Sequence, residues 1–244
     1  MHATSRILLE KRSGFMEYSG YEQKFEAGGI RLFQADCMKM LPQVPDKYYQ
    51  LCICDPPYGI GEDGSRNASR GKRAIVKDYK PFFGNDIAVP SYEYFVELLR
   101  VSKNQIIWGG NYFADKLPPS MGWIYWDKMD CATDFSDGEL AYTSFKRALK
   151  KFRFLWAGMW QGDMRNKEKR IHPTQKPVRL YEWLLKNYAK RGDKILDTHG
   201  GSCSLAIACD IMGFDADIYE IDKEYYEAAK ARLQRHQAQG KLFG

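Results

Sequence analysis

Hydrophobic positions along the chain follow two kinds of pattern. Short apolar runs predict buried strands, and longer stretches with an apolar residue every three or four positions predict helices with one buried face. The predicted strands are residues 30–35, 51–54, 105–108, 123–126, 140–145, 152–156, 194–196 and 214–219. The predicted helices are a short one ending at residue 41 and longer ones at 92–101, 178–189, 205–212 and 223–237. Because helices alternate with strands, we expect an α/β protein with a mostly parallel, twisted sheet and helices on both faces.

The same patterns predict a single domain. Residues 1–24 show no clear period and are interpreted as a loosely attached N-terminal arm, with the domain at residues 25–244. With 244 residues, of which 44% are hydrophobic, the chain is long enough to fill one core. No apolar stretch approaches membrane-spanning length, and the apolar residues 7–9 are too few for a signal sequence. We therefore expect a soluble, cytoplasmic protein.

The six cysteines show none of the paired spacings that indicate zinc ligands or a disulfide framework. No metal site is therefore expected. Cys52 and Cys54 alternate along a predicted strand, which favours packing in the core.

Positive charge is concentrated in two stretches. Residues 146–170 carry nine Lys or Arg against two acidic residues, a larger excess than the +6 of the whole chain. Residues 59–80 carry six against three and are rich in Gly, Ser and Asn, which is typical of a loop. Both stretches could be solvated surface, but they lie close in sequence to the motifs described below, so contact with nucleic-acid phosphates is the better hypothesis. The residues proposed for this contact are Arg66, Arg70, Lys72, Arg73, Lys150, Lys151, Arg153 and Arg165.

The motif Asp55-Pro56-Pro57-Tyr58 follows the predicted strand 51–54. A residue before proline is pushed to an extended conformation, so we expect Asp55 where the buried strand ends. The stiff turn presents a carboxylate, a free carbonyl oxygen and an aromatic face together. These groups fit a flipped-out base with an exocyclic amino group, because Asp55 and the Pro56 carbonyl can each accept one amino hydrogen while Tyr58 stacks on the ring.

A second motif, Asp197-Thr198-His199-Gly200-Gly201-Ser202, lies between the strand 194–196 and a predicted helix. A glycine turn at this position lets the backbone approach a ligand whose negative group meets the helix N-terminus. Glu220 ends the next strand, at the spacing of a carboxylate that binds two ribose hydroxyls. Taken alone, the glycines form a common turn, and acidic residues such as Glu220 and Asp36 are more often helix caps.

In this order the two motifs resemble those of the beta group of adenine-specific DNA amino-methyltransferases, which includes small phage-borne and restriction-associated enzymes. The resemblance runs from about residue 30 to 233. It implies a Rossmann-like, S-adenosylmethionine-dependent methyltransferase fold with a circularly permuted motif order. The implied reaction is transfer of a methyl group to the N6 amino group of adenine in DNA, after the base has flipped out of the duplex. Asp55, Pro56, Pro57 and Tyr58 would be the catalytic residues.

The resemblance also implies residues that bind S-adenosylmethionine. Asp36 resembles the family's acidic residue beside the cofactor adenine. Residues 172–177 resemble the segment that contacts the cofactor carboxylate, with Thr174 and Lys176 as donors. The complete implied set is Asp36, Cys37, Asp55, Thr174, Lys176, Asp197, His199, Gly200, Gly201, Ser202, Glu220 and Ile221.

Two features depart from the family pattern. Thr198 and His199 stand where Pro-Phe is usual and Cys203 where a glycine is usual, and the missing Phe normally packs over the cofactor. Few residues separate positions 145 and 172, too few for the sizeable target-recognition domain of many relatives, which implies short or relaxed specificity, or a second subunit in a homodimer. Two alternatives stay open: the same reaction on the N4 amino group of cytosine, whose motif usually begins with Ser, and an inactive nucleic-acid-binding subunit of the same fold.

Overall fold

The computed structural model describes residues 16–61, 86, 88–129, 136–157 and 160–242 of the chain. Within these residues the strands are β1 Gln23–Ala27, β2 Ile30–Gln34, β3 Tyr49–Cys54, β4 Ser102–Trp108, β5 Trp123–Asp127, β6 Gly138–Thr143, β7 Lys150–Arg153, β8 Trp156–Ala157, β9 Trp160–Gln161, β10 Lys194–Asp197 and β11 Asp215–Glu220. The helices are α1 Cys37–Met40, α2 Tyr92–Val101, α3 Val178–Tyr188, α4 Ser204–Met212 and α5 Lys223–Leu242.

The main sheet has the strand order β1-β2-β11-β10-β3-β4-β6-β5-β7. From β2 to β4 all neighbouring strands are parallel. Antiparallel pairs occur where β1 joins β2, where β4 joins β6 and where β6 joins β5. β8 and β9 form a separate antiparallel hairpin. The predicted α/β architecture with a mostly parallel sheet is therefore confirmed.

Each face of the sheet packs against its own helices, which confirms the prediction of helices on both faces. Alternation along β3 shows the division, because successive side chains of a strand point to opposite faces. Leu51 and Ile53 belong to the core shared with α3, α4 and α5. Cys52 and Cys54 belong to the core shared with α1 and α2, so their predicted role in packing is also confirmed.

The described part of the predicted N-terminal arm is packed onto the sheet. The Tyr18 side chain is buried, and its hydroxyl donates to Asp217 Oδ2 at 3.1 Å. Asp217 also forms a buried ion pair with Arg31 at 2.7 Å, and the Arg31 guanidinium donates to the carbonyl of Met16. The description of this arm as loosely attached is thus wrong for residues 16–24, and its boundary falls inside β1. The sequence pattern does not reveal this attachment because buried hydrogen bonds and the ring contacts of Tyr18 and Tyr21 with Phe33, not a periodic apolar face, hold the segment.

One predicted strand is divided in the structure. Residues 152–156 contribute to the end of β7 and the start of β8, with a break after Arg153. The Phe154 amide donates to the carbonyl of Asp127 at 3.1 Å, and Trp156 then turns into the β8–β9 hairpin. The apolar side chains of Phe152, Phe154 and Trp156 nevertheless pack against the same core, which explains why the pattern is continuous in sequence.

Candidate active site

The ends of four neighbouring parallel strands carry acidic residues. Asp55 follows β3, Asp197 ends β10, Glu220 ends β11 and Asp36 lies just after β2. These strands lie side by side in the order β2-β11-β10-β3 and run in the same direction, so their carboxyl ends share one edge of the sheet. The structure therefore brings the two sequence motifs together. Ligands of open α/β sheets bind at this edge.

Both oxygens of the Asp55 carboxylate have partners. The Tyr58 hydroxyl donates to Oδ1 at 2.5 Å, and the Lys176 ammonium donates to Oδ2 at 2.5 Å. Burial raises the pKa of Asp55 above its ordinary value, while the nearby positive charge of Lys176 acts in the opposite direction. The Lys176 side chain is only 3% exposed, so this ion pair belongs to the interior of the site.

Two residues that the sequence does not single out complete this cluster. Glu139 Oε2 lies 3.0 Å from the Lys176 ammonium, and Glu139 Oε1 lies 2.6 Å from the Lys128 ammonium. Burial alone would raise the pKa of Glu139, but the two ammonium groups outweigh it and lower that pKa to about 2. Glu139 is therefore ionised and held from both sides.

Glu139 escapes prediction because its importance depends on strand direction. It lies near the start of β6, where an acidic residue ordinarily indicates a solvated strand end. β6 runs antiparallel to β4, with Trp108 at the end of β4 opposite Ala141. The first residues of β6 therefore lie at the same edge as the carboxyl ends of the parallel strands. Only the sheet topology reveals this position.

The ring of Tyr58 lies in an aromatic environment. It stacks on Tyr112 with ring centroids 5.0 Å apart and an interplanar angle of 15°. Gly109 has a φ of +69°, and a Cβ at this position would stand under 3.0 Å from three atoms of the Tyr58 ring. Glycine is thus required there both by the left-handed backbone and by the ring. The turn after β4 fixes one side of the Tyr58 pocket.

Backbone amides from the loop after β10 and from the residues after β11 donate hydrogen bonds to the Glu220 carboxylate. The Gly201 amide donates to Glu220 Oε2 at 2.6 Å, and the Asp222 amide donates to Oε1 at 2.8 Å. Asp197 Oδ1 accepts from the His199 amide at 3.0 Å. Among the residues that the structure describes, neither Asp197 nor Glu220 forms an ion pair. Burial raises the pKa of Asp197 to about 8 and that of Glu220 to about 7.

The residues that depart from the family pattern have specific local roles. The Thr198 hydroxyl lies 2.7 Å from the Tyr94 hydroxyl and 3.0 Å from His199 Nδ1. The His199 ring packs edge-on against Tyr94, and burial lowers the pKa of His199 to about 4, so the imidazole is neutral. Cys203 has a φ of +57°, the left-handed region that favours glycine, at the residue preceding α4. The position therefore keeps the glycine-like backbone although the side chain differs.

The other implied cofactor residues lie near this loop or on its flanks. Asp36 caps α1, with Oδ1 accepting from the Met38 amide at 2.9 Å, and Cys37 begins that helix. Thr174 is exposed, and its hydroxyl lies 3.1 Å from His172 Nδ1. Ser202 is buried with Gly200 in the loop, whereas Ile221 is exposed. Their contacts with a cofactor stay predictions.

In the basic stretch of residues 146–170, some of the Lys and Arg side chains are exposed and others contact residues of the protein itself. Lys150, Lys151 and Arg153 are exposed on β7, the outermost strand of the sheet, and Arg165 is exposed beyond the hairpin. Arg153 Nε lies 3.1 Å from Asp127 Oδ2. The remaining positive charge includes two arginines that pack on the protein's own aromatic rings: Arg147 on Phe145 and Tyr188, and Arg170 on Trp156. Arg66, Arg70, Lys72 and Arg73 lie outside the described residues.

Membrane-spanning length and hydrophobicity are not combined in any helix of the described part of the chain. No group of three or more His, Cys, Asp and Glu side chains in residues 16–61, 86, 88–129, 136–157 and 160–242 could hold a metal ion.

The chain is similar in sequence to DNA methyltransferases. The family model described as DNA methylase matches residues 132–231. The Type II methyltransferase M.HpaI of Haemophilus parainfluenzae is 26% identical over 242 residues, covering 83% of this chain and 74% of the relative. The Type II methyltransferase M2.DpnII of Streptococcus pneumoniae is 22% identical, covering 83% of this chain and 89% of the relative.

Solved structures show the same fold. The M1.HpyAVI–SAM complex superposes with a TM-score of 0.52 at 17% identity, covering 83% of this chain and 99% of that one. The cytosine-N4-specific PvuII DNA methyltransferase superposes with a TM-score of 0.55 at 11% identity, covering 86% of this chain and 89% of that one. The chain therefore shares the Rossmann-like fold of these DNA methyltransferases, and in sequence it is similar to the DNA methylase model over residues 132–231 and to the two Type II methyltransferases.

Proposed function

We propose that this chain transfers a methyl group from S-adenosylmethionine to the N6 amino group of adenine in DNA. One observation carries the proposal. The turn bearing Asp55 and Tyr58 lies beside the loop bearing Asp197, on the adjacent parallel strands β3 and β10. A group that accepts amino hydrogens therefore lies next to a loop suited to a cofactor, although the two motifs are far apart in sequence.

The part of the site that contains Asp197 and Glu220 has a charge that fits S-adenosylmethionine. Asp197 and Glu220 are buried, and neither has an ion-pair partner among the described residues, which disfavours their ionised forms. S-adenosylmethionine carries a positive sulfonium, a positive amino group and two ribose hydroxyls. Such a ligand would provide compensating charge and hydrogen-bond donors. Glu220 would bind the ribose, Asp36 would lie beside the adenine, and Asp197 with the backbone of Gly200 and Gly201 would bind the methionine portion.

The part of the site that contains Asp55, Pro56 and Tyr58 suits the amino group of a base. When bound, S-adenosylmethionine supplies an electrophilic methyl group. Asp55 and the Pro56 carbonyl would each accept one amino hydrogen, which orients the lone pair of that nitrogen. The Tyr58 hydroxyl donates to Asp55 Oδ1 in this structure, so this hydrogen bond must break before the base can bind. The freed oxygen would then accept from the base while the Tyr58 ring stacks on it.

The acidic residue at position 55 supports adenine as the target base. The corresponding motif in cytosine-specific enzymes usually begins with Ser, whereas a carboxylate is a stronger hydrogen-bond acceptor than a hydroxyl. The N4 group of cytosine is the second candidate, because the cytosine-N4-specific PvuII enzyme shares the fold. The relatives' description as Type II methyltransferases supports a place for this chain in restriction-modification.

Surface features support the remaining parts of the proposal. The exposed Lys150, Lys151 and Arg153 on the outermost strand would contact DNA phosphates. Tyr92 and Val96 on α2 are exposed apolar side chains that line a surface groove with residues 115–118. This groove supports a homodimer contact at α2, which would extend the DNA-binding surface of a chain with a short recognition segment.

Identification of the methylated nucleoside tests the proposal. Purified protein is incubated with unmethylated plasmid DNA and isotope-labelled S-adenosylmethionine, and the DNA is digested and analysed by mass spectrometry. We expect labelled N6-methyladenine. Labelled N4-methylcytosine would establish the second candidate. Absence of both, with DNA binding retained, would establish the non-catalytic subunit.

A further inference from the structure

We infer that Glu139 is a positioning residue of the active site, which acts on Asp55 through the ammonium group of Lys176. Lys128 is the second cation that holds Glu139 in place. The inference deepens the proposed function and rests on it, because it concerns the orientation of the carboxylate that accepts the amino hydrogens of the base.

The contacts around Lys176 leave its ammonium group fully engaged. An ammonium group has three donors and no acceptor. Here the three acceptors within reach are Asp55 Oδ2 at 2.5 Å, Glu139 Oε2 at 3.0 Å and the Tyr58 hydroxyl oxygen at 3.2 Å. The Lys176 Nζ also lies 5.4 Å from the centroid of the Trp108 ring. These partners lie on separate elements and fix the position of the Lys176 ammonium group. The ammonium group in turn fixes the position of Asp55 Oδ2.

The cluster is balanced in charge. Asp55 and Glu139 are matched by Lys176 and Lys128, and the chain Asp55–Lys176–Glu139–Lys128 alternates in sign. Removing one member of a buried ion pair leaves its partner uncompensated, which is unfavourable. Neutralising Glu139 would leave Lys128 without this carboxylate partner and Lys176 in an ion pair with Asp55 alone.

Sharing of the Lys176 ammonium gives Glu139 a functional role. Without Glu139, Lys176 would be attracted by Asp55 alone and would compete more strongly with an incoming amino group for that carboxylate. With Glu139 present, the ammonium is held between two carboxylates, so Asp55 keeps more of its acceptor strength for the base. Glu139 itself acts through Lys176 and has no direct role in the reaction.

The charges around Asp55 give this role a measurable signature. Asp55 faces Tyr58 from its own turn, Lys176 from the segment before α3, Glu139 from β6, Tyr181 from α3 and Asp197 from β10. The negative charge of Glu139 raises the pKa of Asp55, and the positive charge of Lys176 lowers it. Removing the charge of Glu139 therefore moves the pKa of Asp55 downward. A residue that only supported β6 would not shift this titration.

The test compares Glu139→Gln with the control Glu26→Gln in the full-length protein. Glu26 is also an ion-paired strand residue, and its carboxylate lies 2.8 Å from the Lys24 ammonium. It lies on β1, the terminal strand of the sheet farthest from β7, and is therefore remote from Glu139 on β6. Single-turnover methyl transfer at saturating DNA and cofactor is measured between about pH 5.5 and 9, beside the cofactor Kd and the Tm. We expect Glu139→Gln to lose about tenfold or more in rate, because Asp55 is mispositioned. Its cofactor affinity should stay near wild type, with the acid limb of its pH profile displaced to lower pH, and Glu26→Gln should match wild type.

A readout independent of catalysis keeps the inference separable from the proposed function. The Asp55 carboxyl is titrated by carbon-13 NMR in wild type and in Glu139→Gln, with Asp55→Asn used to assign the signal. A lower Asp55 pKa in Glu139→Gln supports the coupling whether or not the wild-type chain methylates DNA. An unchanged Asp55 pKa, or a wild-type rate and pH profile in Glu139→Gln, would overturn the inference. If wild-type protein transfers no methyl group but the titration shifts, the proposed function fails and the coupling stands.

Discussion

The Lys176 ammonium group donates to Asp55 Oδ2 at 2.5 Å, across 121 positions of sequence. This bond joins the motif after β3 to the segment that precedes α3. The resemblance to DNA amino-methyltransferases implies that Lys176 contacts the cofactor carboxylate. Its ion pairs with Asp55 and Glu139 put it in the proposed base-binding half of the site, and its contact with the cofactor stays a prediction.

Replacing Asp55 tests the base-binding half of the site. Asp55→Ala removes the proposed acceptor of the amino hydrogen, and we expect methyl transfer to fall by about a hundredfold or more, because transition-state positioning is lost. Calorimetry should show a comparatively small change in cofactor affinity. Wild-type turnover in this variant would remove Asp55 from the catalytic residues.

Replacing Glu220 tests the cofactor half. Glu220→Ala removes the proposed carboxylate acceptor for the ribose hydroxyls, and we expect a loss of about 1.5–3 kcal/mol in S-adenosylmethionine binding. Glu220 also accepts from two backbone amides, so the thermal stability of the variant must be measured alongside affinity. Glu227→Gln, on the exposed side of α5, serves as a control. Lower stability with unchanged affinity would leave Glu220 with a purely structural role.

The buried carboxylates predict a pH dependence. Burial raises the pKa of Asp197 to about 8 and of Glu220 to about 7, so the folded protein without cofactor binds more protons at these sites than the unfolded chain. Their contribution to stability is therefore fully present below the ordinary carboxyl pKa of about 4, and it is lost progressively as the pH rises from there through about 7 to 8. The Tm of the cofactor-free protein should fall over this window, and Asp197→Asn should reduce the fall.

A cationic cofactor reverses this preference. The positive sulfonium favours ionised Asp197, so we expect S-adenosylmethionine binding to release protons near pH 7. Calorimetry in two buffers of different ionisation enthalpy measures that release. S-adenosylhomocysteine, which lacks the sulfonium charge, should release fewer protons. Equal release by the two ligands would contradict a charge interaction with the sulfonium.

Gly109 provides a test of the Tyr58 pocket. In Gly109→Ala the new Cβ would clash with the Tyr58 ring, and we expect methyl transfer to fall as the ring is displaced. Gly192→Ala is the matched control, because Gly192 also has a positive φ, of +87°, but a Cβ there would meet nothing within 4 Å. Gly192→Ala should lose about 1 kcal/mol of stability through the left-handed backbone alone, and Gly109→Ala should lose more because of the added clash. Equal activity in the two variants would show that the position of Tyr58 is unimportant.

The basic edge strand can be tested through salt dependence. Neutralising Lys150, Lys151 and Arg153 should weaken DNA binding and flatten its salt dependence, by roughly 0.9 in log-log slope for each phosphate that the variant no longer binds. Fluorescence anisotropy with a labelled duplex at several salt concentrations measures the slope. An unchanged slope would identify β7 as solvated surface.

Sequence patterns predict most of the fold because the strands and helices have clear apolar periods. They also locate the motif after β3, where two prolines follow Asp55, and the loop after β10, where two adjacent glycines form a turn. The packing of residues 16–24 escapes prediction because polar contacts such as Tyr18 with Asp217 hold that segment. The place of Glu139 in the site depends on the antiparallel direction of β6, which no local pattern encodes.

Expression of the protein in a bacterial host that lacks adenine methylation tests the central claim most directly. Single-molecule sequencing of the host DNA reports both the modified base and its sequence context. We predict N6-methyladenine in a defined context with the wild-type protein and none with Asp55→Ala. Modified cytosine instead of adenine, or equal modification by both proteins, would contradict the assignment of Asp55 as the acceptor for the adenine amino group.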